Sequence, residues 1–138
     1  MTPEIIDAMR TLENFRFAKP ASREDIEKAE KTLGLTFSEE YNTYLFLFGS
    51  VSARGVELNG LFPASKPAER LDVICQTQKA RKQYPNLDKN LYVVADDDFL
   101  NCLIAQDVTG QLYKIHPNGK VKKYLQSFST YILTLSVP

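Results

Sequence analysis

Histidine is almost absent from this chain: His116 is the only one among 138 residues, and it sits in the turn-like stretch HPNG. A serine or cysteine nucleophile needs a base beside it. A lone turn histidine, with no Gly-x-Ser-x-Gly elbow anywhere, leaves a hydrolase triad without support. Cysteine is scarce too. Cys75 and Cys102 lie within apolar patterns at no metal-ligand spacing, which reads as two buried free thiols in a reducing compartment, not a disulfide framework or a zinc site. The six glycines never assemble into Gly-x-Gly-x-x-Gly or a Walker loop, so no phosphate cradle is encoded. Charge of one sign does not prevail either, since 17 basic residues balance 17 acidic ones. That balance supplies no global field to draw nucleic acid or an anionic membrane. No apolar run approaches the ~18 residues of a membrane span, and MTPEIIDAMRTLENF carries Glu4 and Asp7 where a secretory signal needs an apolar core. The expectation is a cytoplasmic protein that neither crosses nor coats a membrane.

What is present reads as one α+β domain over residues 1–138. Thr2 and Pro3 have the form of an N-cap and first helical residue, and Ile5, Met9 and Leu12 recur at helical spacing, predicting a helix over residues 3–13. In PASREDIEKAEKTLGL, Ser22 caps, Glu24 and Asp25 complement the positive helix end, Ile26, Ala29 and Leu33 form the apolar stripe, and Gly34 stops the helix. A further helix starts at Ser38, buries Tyr41, Tyr44, Leu45 and Phe48 along one face, and ends at Gly49. VELNGLF reads as one strand, residues 63–69 as loop, and Glu69 to Tyr84 as a helix halted by Pro85. LYVVA, FLNCLIAQD, QLYKIH and KVKKYL, separated by turn residues, predict a meander of about four strands. SFSTYILTL returns to helical spacing. With the earlier strand and allowance for short ones, the expected sheet has about four to six strands, antiparallel and packed by helices.

Two charged stretches remain. VVADDDFLNC places Asp96, Asp97 and Asp98 between apolar runs. Neighbouring side chains of an extended chain point to opposite faces, so Asp96 and Asp98 can share a face that Asp97 leaves. The spacing is not that of an EF-hand, and the readings open to these aspartates are a polar turn, a surface another protein recognises, or a metal or acid–base pair. Lys114, Lys120, Lys122 and Lys123, interleaved with Tyr113 and Tyr124, have the composition of a single-strand nucleic-acid patch. Lysines on the solvent face of a hairpin, where they also deter edge pairing, account for them more simply.

The order PASREDIEKAEKTLGLTFSEEYNTYLFLFGS, GVELNGLF, LYVVADDDFLNCLIAQD, VTGQ and SFSTYIL resembles the SUKH superfamily, which includes bacterial immunity proteins and fungal cell-wall synthesis regulators. The resemblance covers residues 15–135 and rests on Ile26, Glu30, Leu35, Tyr41, Leu45, Gly49 and the pair Ser127–Phe128. Phe37 departs from it, where the family often has proline. The resemblance implies a curved antiparallel sheet packed by helices and action through binding, without catalytic residues, cofactor or metal. The expected function is a cytoplasmic immunity protein that blocks a cognate toxin, with Asp96, Asp97 and Asp98 at the partner surface, where complementary charge gives association rate and specificity. The alternatives are a regulatory scaffold of cell-wall synthesis and a metal-dependent hydrolase built on the three aspartates. No nucleic acid is expected as partner, and monomer and homodimer stay open because an exposed strand edge can pair.

Overall fold

A computed structural model describes residues 1–62 and 72–135. Five helices and seven strands follow one another: α1 Pro3–Arg10, β1 Arg16–Phe17, α2 Arg23–Leu33, α3 Glu39–Phe48, β2 Val51–Ala53, β3 Val56–Leu58, α4 Val73–Gln83, β4 Tyr92–Asp97, β5 Cys102–Gln106, β6 Leu112–Ile115, β7 Val121–Lys123 and α5 Phe128–Leu135. The strands form a single seven-stranded sheet in chain order, every neighbouring pair antiparallel. The α+β class is as expected, and the strand count is slightly higher.

The extra strands are short. SVSARG, which looks like a polar connector, is β2 and its turn: Arg54 and Gly55 both take positive φ (51° and 75°), the twist a two-residue hairpin needs before β3. β1 is only two residues long and pairs Arg16 with Ser52 and Phe17 with Val51. The VELNGLF strand therefore shrinks to its first three residues. The expected loop at 63–69 and the start of the helix predicted from Glu69 lie outside the described residues; within them Asp72 caps α4, its Oδ1 accepting from the N–H groups of Ile74 and Cys75. The first helix ends at Arg10, short of 13, because Asn14 turns to φ 59° and the Phe15 N–H donates to the Leu12 carbonyl, a geometry no α-helix continues through.

Caps hold where the sequence places them. Ser22 and Asp25 form a reciprocal capping box, Ser38 accepts from the Tyr41 N–H, and Gly34 closes α2 at φ 69°. α1, α2, α3 and α5 share the larger apolar cluster with one face of the sheet, while Ala80 of α4 meets Val93, Ala105 and Ile115 in a second cluster. Burial of the central strands on both faces explains why LYVVA is a continuous apolar run with no alternation.

The aromatic stripe of α3 is core. The Tyr41 ring stands 5.1 Å from Phe37, 5.4 Å from Tyr44, 5.1 Å from Tyr92 and 5.8 Å from Phe128. Burying a phenol requires an acceptor, and the Tyr41 and Tyr44 hydroxyls donate to the carbonyls of Asn59 and Leu58. Phe37 also shows why proline is not needed before α3. Its N–H donates at 2.8 Å to the Glu30 carboxylate, a bond proline has no hydrogen to make.

Gly49 and Gly60 join the two halves of the molecule. A Cβ on Gly49 would lie 2.0 Å from the Lys19 carbonyl oxygen, and one on Gly60 would lie 1.6 Å from the carbonyl oxygen of Gly49 itself. The Leu61 N–H donates to Gly49 and the Val73 N–H to Gly60, so this close approach ties the end of α3 to the start of α4.

Candidate functional site

The three aspartates occupy the end of β4 and the turn that follows, and they do not act as one patch. A register shift between Val93 and Ala95 resets the alternation, after which Asp96 faces out and Asp97 faces in. Asp97 is only 3% exposed. Its Oδ2 accepts from the Tyr131 hydroxyl of α5 at 2.6 Å and its Oδ1 from the Leu100 N–H at 3.0 Å, so it braces the turn against the last helix. Burial, and then the Asp97 carboxylate, push the Tyr131 phenol far above its ordinary range. Asp97 was expected at the partner surface with its neighbours; its side chain is instead committed to the interior, because one residue of strand alternation sends it there.

Asp96 and Asp98 remain exposed. Asp96 pairs across the sheet with Glu57 and Leu103. Partial desolvation, followed by the carboxylates of Asp98 and Glu57, raises the Asp96 carboxyl above its ordinary value, and Lys79 on α4 opposes that shift. The two outward carboxylates and the inward one do not converge as an oxygen cage requires. Among the described residues no three His, Cys, Asp or Glu side chains group as a metal site.

The turn itself presents what the sequence reading passed over. Asn101 takes φ 52°, a conformation asparagine tolerates, and the reversal leaves Phe99 78% exposed and Leu100 39% exposed. The Phe99 ring lies over the neighbouring β2–β3 turn, 3.6 Å from where a Cβ on Gly55 would stand. Beside it a cleft of about 250 Å³ runs between Val56, Leu100, Tyr124 and Leu135. Arg54 at its rim donates to the Leu135 carbonyl at 2.6 Å. An aromatic knob, an apolar cleft and two flanking carboxylates therefore lie together, an apolar centre with a polar rim. FLNCLIAQD had placed Phe99 and Leu100 in a strand; the asparagine at the reversal was the available turn signal.

The other candidates offer less chemistry. His116 keeps its place in the β6–β7 turn, its N–H donating to the Lys120 carbonyl at 2.9 Å. Cys75 and Cys102 are free thiols, and burial pushes the Cys102 thiol up, away from nucleophilic character. The Lys114 ammonium stacks 4.3 Å over the Tyr124 ring, while Lys122 and Lys123 lie on the exposed strand β7. None of the helices described is long and apolar enough to cross a membrane.

The fold positions that carried the resemblance now have physical roles. Glu30 receives the Phe37 N–H, Tyr41 centres the aromatic cluster, Gly49 makes the close approach, and the Phe128 ring packs 5.1 Å from Tyr44. The profile of the SUKH_5 family, described as SMI1-KNR4 cell-wall, matches residues 2–135. The chain belongs to the SUKH superfamily. No curated protein matches it closely enough to add a partner or an activity.

Proposed function

We propose that this SUKH protein is a non-catalytic binding domain, an immunity protein that neutralises a toxin in the cytoplasm by direct contact through its β4–β5 turn. The observation that carries the reading is Phe99, 78% exposed at a hairpin tip with Asp96 and Asp98 beside it. A ring left 78% exposed contributes little to folding, whereas in a partner's pocket it supplies the buried centre around which charges give register and rate. Family membership supports binding over chemistry, and the scattered directions of the aspartates weigh against the metal-dependent hydrolase. The cell-wall description of the matching family favours a second reading, in which the same turn docks the protein onto an enzyme of wall synthesis.

The test is affinity capture from the native cells with their secreted fraction, using the unaltered protein and a variant carrying Asp96→Lys, Asp98→Lys and Phe99→Ser. Capture of one toxin whose activity the unaltered protein blocks, lost with the variant at unchanged melting temperature, is the expected result. Wall-synthesis enzymes captured in its place transfer the turn to the scaffold reading. Undiminished capture by the variant removes the turn from the interface.

A further inference from the structure

The last strand of the sheet has no described residue hydrogen-bonded along its outer edge. Val121, Lys122 and Lys123 are all exposed, and β7 meets β6 with Lys123 opposite Tyr113, Lys122 opposite Lys114 and Val121 opposite Ile115. On either side of this pairing the His116 N–H donates to Lys120 and the Tyr124 N–H to Leu112. Antiparallel ladders alternate with a period of two, so Lys122 turns its backbone groups toward β6 while Val121 and Lys123 turn theirs away from the sheet. Outward donors and acceptors in a row are a template for one more strand.

Side chains select what that strand carries. Lys120, Lys122 and Lys123 are exposed on or beside the edge, and Lys114 directly faces Lys122 across the pair. Like charges placed opposite one another are destabilising, and no described carboxylate forms an ion pair with any of the four. A second copy of this chain would set its own lysines against these, so edge-to-edge self-pairing is disfavoured, while acidic residues would relieve the repulsion. Val121 shares the face of Ile115 and borders a cleft of about 480 Å³ in which Tyr84, Pro85, Leu87 and Leu91 form the apolar side, with Asn86, Asp88 and Asn118 on the polar side. An apolar side chain of an added strand has a seat there.

We infer that β7 accepts an extended acidic segment of a partner protein as an eighth strand, with alternate acids against Lys120 and Lys122 on one face and an apolar residue beside Val121 on the other. This edge shares no residue with the Phe99 turn, and the inference stands or falls separately from the toxin reading.

Nuclear magnetic resonance of the full isotope-labelled chain tests it, with four probes: an acidic peptide alternating Glu and Val, its Lys and Val counterpart, an acidic peptide alternating Glu and Pro, and single-stranded oligothymidine. The Glu and Val peptide alone is expected to shift the Val121 and Lys123 amides and slow their exchange with solvent. Lys120→Glu together with Lys122→Glu weakens it about tenfold or more. Val121→Pro removes an outward N–H that β6 does not use and abolishes the response; should that variant not fold, the charge reversals carry the test. Four results each overturn the inference: no shift at β7, an equal response to the basic peptide, an equal response to the Glu and Pro peptide, which cannot ladder, or tighter binding of oligothymidine, which would make the edge a phosphate-binding patch.

Discussion

Glu40 on α3 grips Ser129 on α5 twice: its Oε2 accepts from the Ser129 backbone N–H at 3.0 Å and from the Ser129 hydroxyl, while Oε1 takes the Phe128 N–H at 2.6 Å. The first turn of a helix leaves N–H groups without partners, and here a carboxylate from 88 residues earlier satisfies two of them and complements the helix dipole. Gln106, which also receives the Tyr92 and Ser38 hydroxyls, approaches the same carboxylate. Glu40→Ala is expected to cost about 1–3 kcal/mol, measured by denaturant unfolding, and Glu40→Gln less, since one oxygen still accepts. A loss below about 0.5 kcal/mol would show that water replaces the cap.

The aspartate run separates into surface and brace. Asp97→Ala leaves the buried Tyr131 hydroxyl and the Leu100 N–H without their acceptor and should destabilise by about 1–3 kcal/mol. Asp98→Ala should stay within about 0.5 kcal/mol. A double-mutant cycle of Asp97→Asn with Tyr131→Phe should show a coupling of about 0.5–3 kcal/mol; strict additivity would mean the two side chains do not hold each other.

Glycine substitutions grade the close backbone approaches at Gly49 and Gly60. Gly49→Ala and Gly60→Ala drive a methyl into backbone carbonyl oxygens and should each cost about 2–4 kcal/mol or prevent folding. Gly34→Ala meets nothing within 4 Å and should cost about 1 kcal/mol, the strain of its φ 69° alone. Equal penalties at the three sites would mean that steric contact is not the cause.

Alkaline unfolding should be abrupt. Burial raises the phenols of Tyr41, Tyr44, Tyr92 and Tyr131 well above the ordinary value near 10. Below that value both folded and unfolded chains hold these protons and stability is intact. As pH climbs past it only the unfolded chain releases them, so stability falls by about 1.4 kcal/mol per pH unit for each tyrosine still protonated in the fold. Tyrosinate absorbance and circular dichroism should therefore change together above pH ~10. Ionisation of all seven tyrosines while the chain stays folded would contradict the burial.

Local chemistry was readable in the sequence and distant pairing was not. Thr2, Ser22 and Ser38 cap helices because each lies within three residues of the N–H it receives. That Asp97 leaves the face of Asp96 and Asp98 follows from alternation, but its partner Tyr131 lies 34 residues on, and only the fold brings them together. β1 and β2, two and three residues long, are too short for a periodic pattern, and the pairing of β2 with β3 depends on a positive φ at Arg54 that its side chain does not favour. The exposure of Phe99 was not legible, since exposure is a property of the turn and not of the letter.

Because sheet order is chain order, each strand leaving the ribosome finds the strand it pairs with already made. α5 is synthesised after everything it fastens, and until it arrives Glu40 has no helix end to hold, Asp97 lacks its phenol, and the rings of Tyr41 and Tyr44 are bare where Phe128 will sit. The interval in which these elements are open to misassociation therefore closes only when α5 docks.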